Sequence, residues 1–300
     1  MRVLLTGVDG QVGGALLPAL GDKAAVVPMT PAELDLACSE AIVPTLDRIA
    51  PDLIINPAAY TAVDRAEDER ELAYRINGEA PGHIAGWAAR HGVPLIHFST
   101  DYVYDGSGER PWREDDVTGP LSVYGASKLA GEDAVRAAKG PHLIIRTSWV
   151  YAAKGANFLR TIARLAAERP ELRIVADQVG APTSAQLIAD AITMMVTKHA
   201  SDLAGLFAAA NGLVHVVAAG ETSWHGFAGA IVEGLRARGT PLKTEAIVPI
   251  HTRDYPTKAK RPANSRLDLG RLHRVFGITT PHWRDALAIE LDALARELAR

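Results

Sequence analysis

SVYGASKLAGE carries Tyr124 and Lys128 four residues apart, and helical spacing puts that phenol and that ammonium on one face. The pair suits proton transfer. An unperturbed phenol titrates near ~10, too high for efficient proton exchange at neutral pH, and a nearby ammonium favours the phenolate and lowers that value. An exposed tyrosine beside a solvated lysine has the same spacing, so the pair gains meaning only from its surroundings. Some twenty residues upstream lies PLIHFSTDYVYDG, residues 94–106. Leu95, Ile96 and Phe98 read as a buried strand, which then breaks into Ser99, Thr100, Asp101 and Tyr102. A polar turn accounts for that ending. A hydroxyl at a parallel strand's carboxyl end beside a Tyr/Lys helix also meets the edge where open α/β sheets bind ligands.

A third feature opens the chain. TGVDGQVGGAL places Gly7, Gly10 and Gly13 between a first apolar run and a first helical stretch. The spacing is GxxGxxG. Glycines there allow a tight turn, close approach to a pyrophosphate and close helix–strand packing, and the phosphates meet free N–H groups at the helix start. Tight strand–helix turns use glycine in any case; the position at the head of an alternating chain is what favours a dinucleotide. Lys128 can then hydrogen-bond a nicotinamide ribose. The acid or arginine that selects NADH or NADPH belongs near the end of the second strand. VVPMTPAELD offers Thr30 and Pro31 there, followed by Asp35, which either serves the adenine side or caps a helix beginning near Ser39. The choice between NADPH and NADH stays open.

The elements that must position these groups are legible as alternation. Strands are predicted at 2–6, 24–27, 52–56, 94–98 and 142–146, each nearly continuous in apolar residues, as parallel strands covered on both faces are. Helices are predicted near 11–20, 39–49, 68–91 and 122–139. That rhythm means an α/β fold with a Rossmann-type doubly wound parallel sheet over residues 1–150. After residue 150 it loosens into helices near 156–169, 184–199, 222–238 and 283–299, a short strand LRIV, and turn-rich segments such as DQVGAPTS and YPTKAKRPANSR. Residues 151–300 are predicted to form a smaller, mostly helical substrate-binding lobe, with later segments returning to the sheet.

Composition sets the outer bounds. The 300 residues are 48% hydrophobic and 22% charged, with a formal charge of −3, which gives no general reason to expect nucleic acid. Cys38 is the one cysteine, so no internal disulfide forms, in keeping with a reducing compartment. No stretch approaches the ~18 apolar residues of a membrane span, and the histidines show no metal-binding spacing. The expectation is a cytoplasmic protein with a small-molecule substrate, without a membrane or nucleic-acid partner and without a catalytic metal.

Taken together, the glycine turn, the strand-end Ser/Thr and the YxxxK pair resemble the extended short-chain dehydrogenase/reductase superfamily. Within it the phrases INPAAYTAVDRAE, FSTDYVYDG, PLSVYGASKLAGE, IIRTSWVYA, DQVGAPTS and RPANSRLD resemble the sugar-nucleotide reductases that complete dTDP-L-rhamnose synthesis. The resemblance implies a cofactor pyrophosphate on Gly10, Gln11 and Val12, an adenine near Asp35 and Leu36, and a cofactor-lining segment at Ala59, Tyr60 and Thr61. It implies that Thr100 bonds the 4-keto oxygen of a dTDP-sugar, that Tyr124 protonates it with Lys128 tuning the phenol, and that Asp101 contacts the sugar or serves as an Asx turn. Trp149 would wall the deoxysugar, Asn157 and Phe158 would open a helix facing the pocket, and Arg261 or Arg266 would hold a diphosphate unless engaged in surface salt bridges. Trp224 reads as packing. Tyr104 replaces a commoner phenylalanine, and GLVHV keeps His215 without the usual preceding aromatic. Some members bind Mg2+ at a dimer interface; no decisive acidic cluster marks one, so ion and homodimer both stay open.

Related proteins leave two other readings. An epimerase would oxidise and re-reduce its sugar on a retained cofactor, and the regulatory subunit of methionine adenosyltransferase is a non-catalytic relative. Intact Thr100, Tyr124 and Lys128 favour a reductase over the latter.

Overall fold

A computed structural model of the chain describes residues 1–299. Its first half alternates as β1 (Arg2–Thr6), α1 (Gln11–Gly21), β2 (Ala25–Met29), α2 (Ser39–Ile49), β3 (Leu53–Asn56), α3 (Val63–Ala66), α4 (Arg70–Tyr74), a π-helical turn (Arg75–Glu79), α5 (Ala80–His91), β4 (Leu95–Thr100), α6 (Val123–Ala137) and β5 (His142–Thr147). A strand from the second half, Leu213–His215, joins beyond β5. The parallel sheet therefore runs Leu213–His215, β5, β4, β3, β1, β2. The chain leaves β1 in both directions, to β2 on one side and β3 on the other, and this switch point is where such sheets hold ligands.

Period-two alternation explains the double winding. Val3, Leu5, Leu53, Ile55, Ile96, Ile145 and Val214 face α1 and the helix Ala185–Lys198. Leu4, Ile54, Leu95, Ile144 and Leu213 face α2 and α5. The inner strands thus bury both sides, which is why their sequences lack polar alternation, while the edge strand β2 is only partly covered. The first cluster continues without a break into the helices Trp224–Ala237 and Trp283–Leu298.

One predicted helix is three elements. The stretch expected as a single helix at 68–91 is interrupted at Arg75–Glu79, where the backbone widens into a π turn. Such turns occur where a side chain is needed out of helical register, often at functional sites; here that side chain is Asn77. In the second half, Val179–Gly180 pairs with both Thr222–Ser223 and Asn264–Ser265. This small sheet draws DQVGAPTS, ETSW and RPANSR to one place. Among the described residues no helix is long and apolar enough to cross a membrane.

Candidate active site

The glycine turn is built for close approach. Gly7 has φ +61°, and a Cβ there would come within 2.9 Å of Ala58 Cα at the end of β3. A Cβ on Gly13 would lie 2.1 Å from the Gly7 carbonyl oxygen, so α1 can start this near β1 only with glycine. Gly10 caps α1 with no side-chain bond, leaving the first-turn N–H groups for an anion. Gln11 donates from Nε2 to the Ala156 carbonyl at 3.1 Å, while its buried Oε1 has no protein partner. Val12 follows in the same turn. These groups fit a dinucleotide pyrophosphate.

Thr100 and Tyr124 meet at the carboxyl end of β4. Ser122 caps α6, accepting from Gly125 N at 3.2 Å, and Glu67 accepts the Val123 N–H at 2.9 Å, so the helix starts beside the strand end. A Cβ on Gly125 would lie 2.2 Å from the Tyr102 carbonyl oxygen, which shows how closely the two approach. The Thr100 side chain is close enough to Tyr124 to act on its phenol. Thr100 Oγ1 also accepts the Tyr102 N–H at 3.2 Å and donates to Asp101 Oδ1 at 3.1 Å.

The lowering of the phenol by Lys128 that the spacing suggests is not found. Burial raises the Tyr124 pKa, Thr100 opposes, and Asp101 and Tyr102 add to the rise. The Lys128 ammonium is instead tied to the Phe98 carbonyl at 2.6 Å. Burial pulls it down to about 8, with Glu132 opposing. Tyr124 is therefore a neutral phenol at physiological pH, the protonation state a proton donor requires.

Asp101 is fully inside the protein, and burial raises its carboxyl to about 6 against the hydrogen bonds of Ser265 and Thr100. The fold thus favours its protonated form: that contribution to stability is complete below the unfolded value of about 3.8 and is lost as pH rises through about 6. Asp101→Asn is accordingly expected to raise unfolding free energy by roughly 2–3 kcal/mol at pH 7.5, with the gain vanishing below pH ~4. Urea titrations at both pH values test this; an offset independent of pH would refute the burial cost.

The segment after β3 is fastened to α6 through Asn77. Asn77 Oδ1 accepts the Tyr60 N–H at 2.8 Å, and Nδ2 donates to the Tyr60 carbonyl and to Ser127 Oγ, both at 3.0 Å. Ser127 Oγ in turn donates to the Tyr124 carbonyl at 2.8 Å. Ala59 and Tyr60 are half-buried along this seam and Thr61 is exposed. Nothing in the sequence marked Asn77, because its role depends on the π turn.

Across the cleft stands an aromatic wall. Trp149 has φ +50°, a strained conformation for a bulky residue. Its ring stacks on Trp224 with centroids 3.6 Å apart and planes within 11°, and Phe158 lies 4.5 Å from Trp224. A Cβ on Gly180 would strike Trp149 at 2.7 Å, so the glycine of DQVGAPTS makes room for the indole. Trp224, read from sequence as packing, shares this half-buried surface with Trp149.

Other expected contacts have different partners. Asp35 does not cap α2: its Oδ1 accepts the Ala37 N–H at 2.8 Å, and Cys38 holds the cap position without a side-chain bond. Leu36 is buried in the core with Met29 and Ile42. Just beyond β2 the Glu33 carboxylate folds back onto the backbone and hydroxyl of Thr30, an acid close to the position where a ribose-selecting group is expected. Asn157 Oδ1 caps the helix Phe158–Glu168, and its Nδ2 donates to Ala152 and Lys154 carbonyls, so its polar atoms are engaged locally. Arg266 is held by Asn264 and Glu221. Arg261 pairs with Asp64 at 2.5 Å and reaches the Tyr102 hydroxyl at 3.3 Å, beside Tyr124. Among the described residues no group of three or more His, Cys, Asp or Glu is placed to hold a metal ion.

A glycine cradle at a sheet switch point, with a strand-end hydroxyl beside the tyrosine of a YxxxK helix, defines a dinucleotide-dependent oxidoreductase of the short-chain dehydrogenase/reductase kind. Residues 1–296 match the family described as RmlD substrate binding domain, and the chain belongs to that family. It is 47% identical over 292 residues to a dTDP-4-dehydrorhamnose reductase of Burkholderia thailandensis, covering 96% of this chain and 97% of that one. It is 44% identical over 300 residues to the enzyme of that name from Escherichia coli K12, covering 98% of each. Among solved structures, a dTDP-4-dehydrorhamnose reductase of Clostridium acetobutylicum superposes with a TM-score of 0.89 at 34% identity, over 98% of this chain and 99% of that one. One from Bacillus anthracis, in complex with NADP, gives 0.86 at 32%, over 97% and 99%.

Proposed function

We propose that the chain is an NAD(P)H-dependent reductase that converts the 4-keto group of dTDP-4-dehydro-6-deoxy-L-mannose to the hydroxyl of dTDP-L-rhamnose, in the cytoplasm. The observation that carries this reading is the close seating of the first turn of α6, with Tyr124, on the end of β4, where Thr100 lies. When bound, the reduced nicotinamide supplies a hydride to the carbonyl carbon. The residues of this chain do the rest. Thr100 donates a hydrogen bond to the carbonyl oxygen as negative charge builds there. Tyr124, protonated at neutral pH, gives that oxygen its proton, so one hydride and one proton account for the new CH–OH. Lys128 holds the cofactor's ribose, and the first turn of α1 at Gly10, Gln11 and Val12, with Gly7 and Gly13 clearing space, holds its pyrophosphate.

Trp149 and Trp224 form the apolar side of the substrate lobe, with Phe158 behind them. Asp101 bonds the sugar as a donor when protonated and as an acceptor when ionised. Arg261, freed from Asp64, is the cation suited to the diphosphate.

The test is NADPH and NADH oxidation by the purified protein against a panel of dTDP-4-keto-6-deoxy sugars. Stoichiometric oxidation with the L-mannose-configured ketone is the expected result. Turnover on a tightly retained cofactor with no net oxidation makes the protein an epimerase instead.

A further inference from the structure

Along the Tyr/Lys face, α6 carries an acid with no role in the chemistry above. Glu132 is one helical turn beyond Lys128, and its side chain is completely buried. Arg146 of β5 grips it with two bonds, Nε to Oε1 at 2.8 Å and Nη2 to Oε2 at 2.6 Å. Arg136 adds a third at 2.7 Å from the half-exposed edge of the helix. Ser99, Arg146 and His215 form one row across β4, β5 and Leu213–His215, beneath the same helix. Tyr104 closes the row, accepting from Arg146 at 2.7 Å and lying 2.9 Å from His215 Nε2.

We propose that Glu132, fixed between Arg146 and Arg136, is a positioning residue that keeps Lys128 cationic and so preserves it as a hydrogen-bond donor at the cofactor site. The inference rests on the reading of Lys128 as a cofactor-binding group. Its physical basis is the inventory of groups around that ammonium. On α6 these are Tyr124, a neutral phenol, and Glu132. From β4 they are His97, which burial keeps neutral, and the Phe98 carbonyl that accepts the Lys128 proton. At the strand end lie Asp101 and Tyr102, which act on Tyr124. Bonded to Glu132 are Arg146 and Arg136, and Arg136 also pairs with Asp133. Glu132 is the charge that opposes the loss of the Lys128 proton to burial.

An i,i+4 spacing puts the two Cβ atoms roughly 6 Å apart on one helix face, and charges carried at such range in a protein interior move a pKa by about one to two units. A carboxylate free to swing would lose that effect, and the bidentate guanidinium prevents it.

The experiment follows the Lys128 side chain by NMR in the full chain labelled at lysine Cε, without substrate, using Lys128→Met to assign its signal. The expected titration midpoint is about 8 in the parent protein. Glu132→Gln lowers it by at least one unit, and Arg136→Met, at a half-exposed position, raises it by a few tenths. NADH binding at pH 7.5 weakens about tenfold in Glu132→Gln and recovers below pH 6, which loss of packing alone does not produce. A folded Glu132→Gln that titrates with the parent overturns the proposal. Should Glu132→Gln not fold, an unmoved or lowered midpoint in Arg136→Met overturns it. Because the titration needs no turnover, shifted midpoints in a protein without reductase activity sink the reductase reading and leave the Glu132–Lys128 coupling standing.

Discussion

Tyr124→Phe is expected to lower turnover about a thousandfold while leaving cofactor and sugar-nucleotide binding within a few fold of the parent. The substitution removes one oxygen, and that oxygen is the one on which Thr100 acts at the end of β4. The ring remains, edge-on to Tyr102 at 5.5 Å and packed against the cluster of Ala66, Ala73 and Val123, so the pocket keeps its shape. Loss of kcat with little change in substrate affinity is the signature of an interaction made in the transition state. Steady-state kinetics with equilibrium binding of NADPH separates the two. Turnover within tenfold of the parent means that the proton comes from elsewhere, and Tyr124 then loses the role of acid.

Arg146→Met carries the largest expected cost in stability, about 3–5 kcal/mol, because it strands the buried Glu132 carboxylate beside an emptied site. Tyr104 loses a donor at the same time. The half-exposed Arg136 keeps one bond to Glu132 and offsets part of the loss. Combining Arg146→Met with Glu132→Gln is expected to recover at least half of it, since a neutral amide has no charge to strand. Denaturant unfolding of the parent, both single variants and the double variant closes the cycle. Equal losses in Arg146→Met and the double variant would mean that the pair contributes only packing.

The strands of the first half are legible because parallel burial writes itself as runs of Val, Ile and Leu; Arg2–Thr6 and its four successors are found where the runs are. The reactive pair is legible for a similar reason, since i,i+4 spacing on α6 needs nothing from the rest of the fold. What sequence does not carry is any property set by two distant segments. Leu213–His215 is too short to announce itself as a sheet strand and becomes one by pairing with β5. Asn77 matters because a π turn releases it toward Tyr60 and Ser127. Trp224 has the pattern of a packing residue, and it faces Trp149 because Thr222, Gly180 and Ser265 align in a sheet of two-residue strands. Asn157 opens its helix as the N-cap, and its amide is engaged by that cap and by nearby carbonyls, a local geometry that residue type alone does not show. The pKa of Tyr124 went the opposite way from expectation because spacing shows that Lys128 is near and says nothing of how deeply both are buried.

The most direct test of the account is a single turnover of the L-mannose-configured 4-keto sugar nucleotide with NADPH carrying deuterium at its transferable position, read by NMR of the product. The expected product is dTDP-L-rhamnose with one deuterium at C4 and one NADPH oxidised for each sugar formed. An unlabelled product, or a changed sugar with no NADPH consumed, contradicts it.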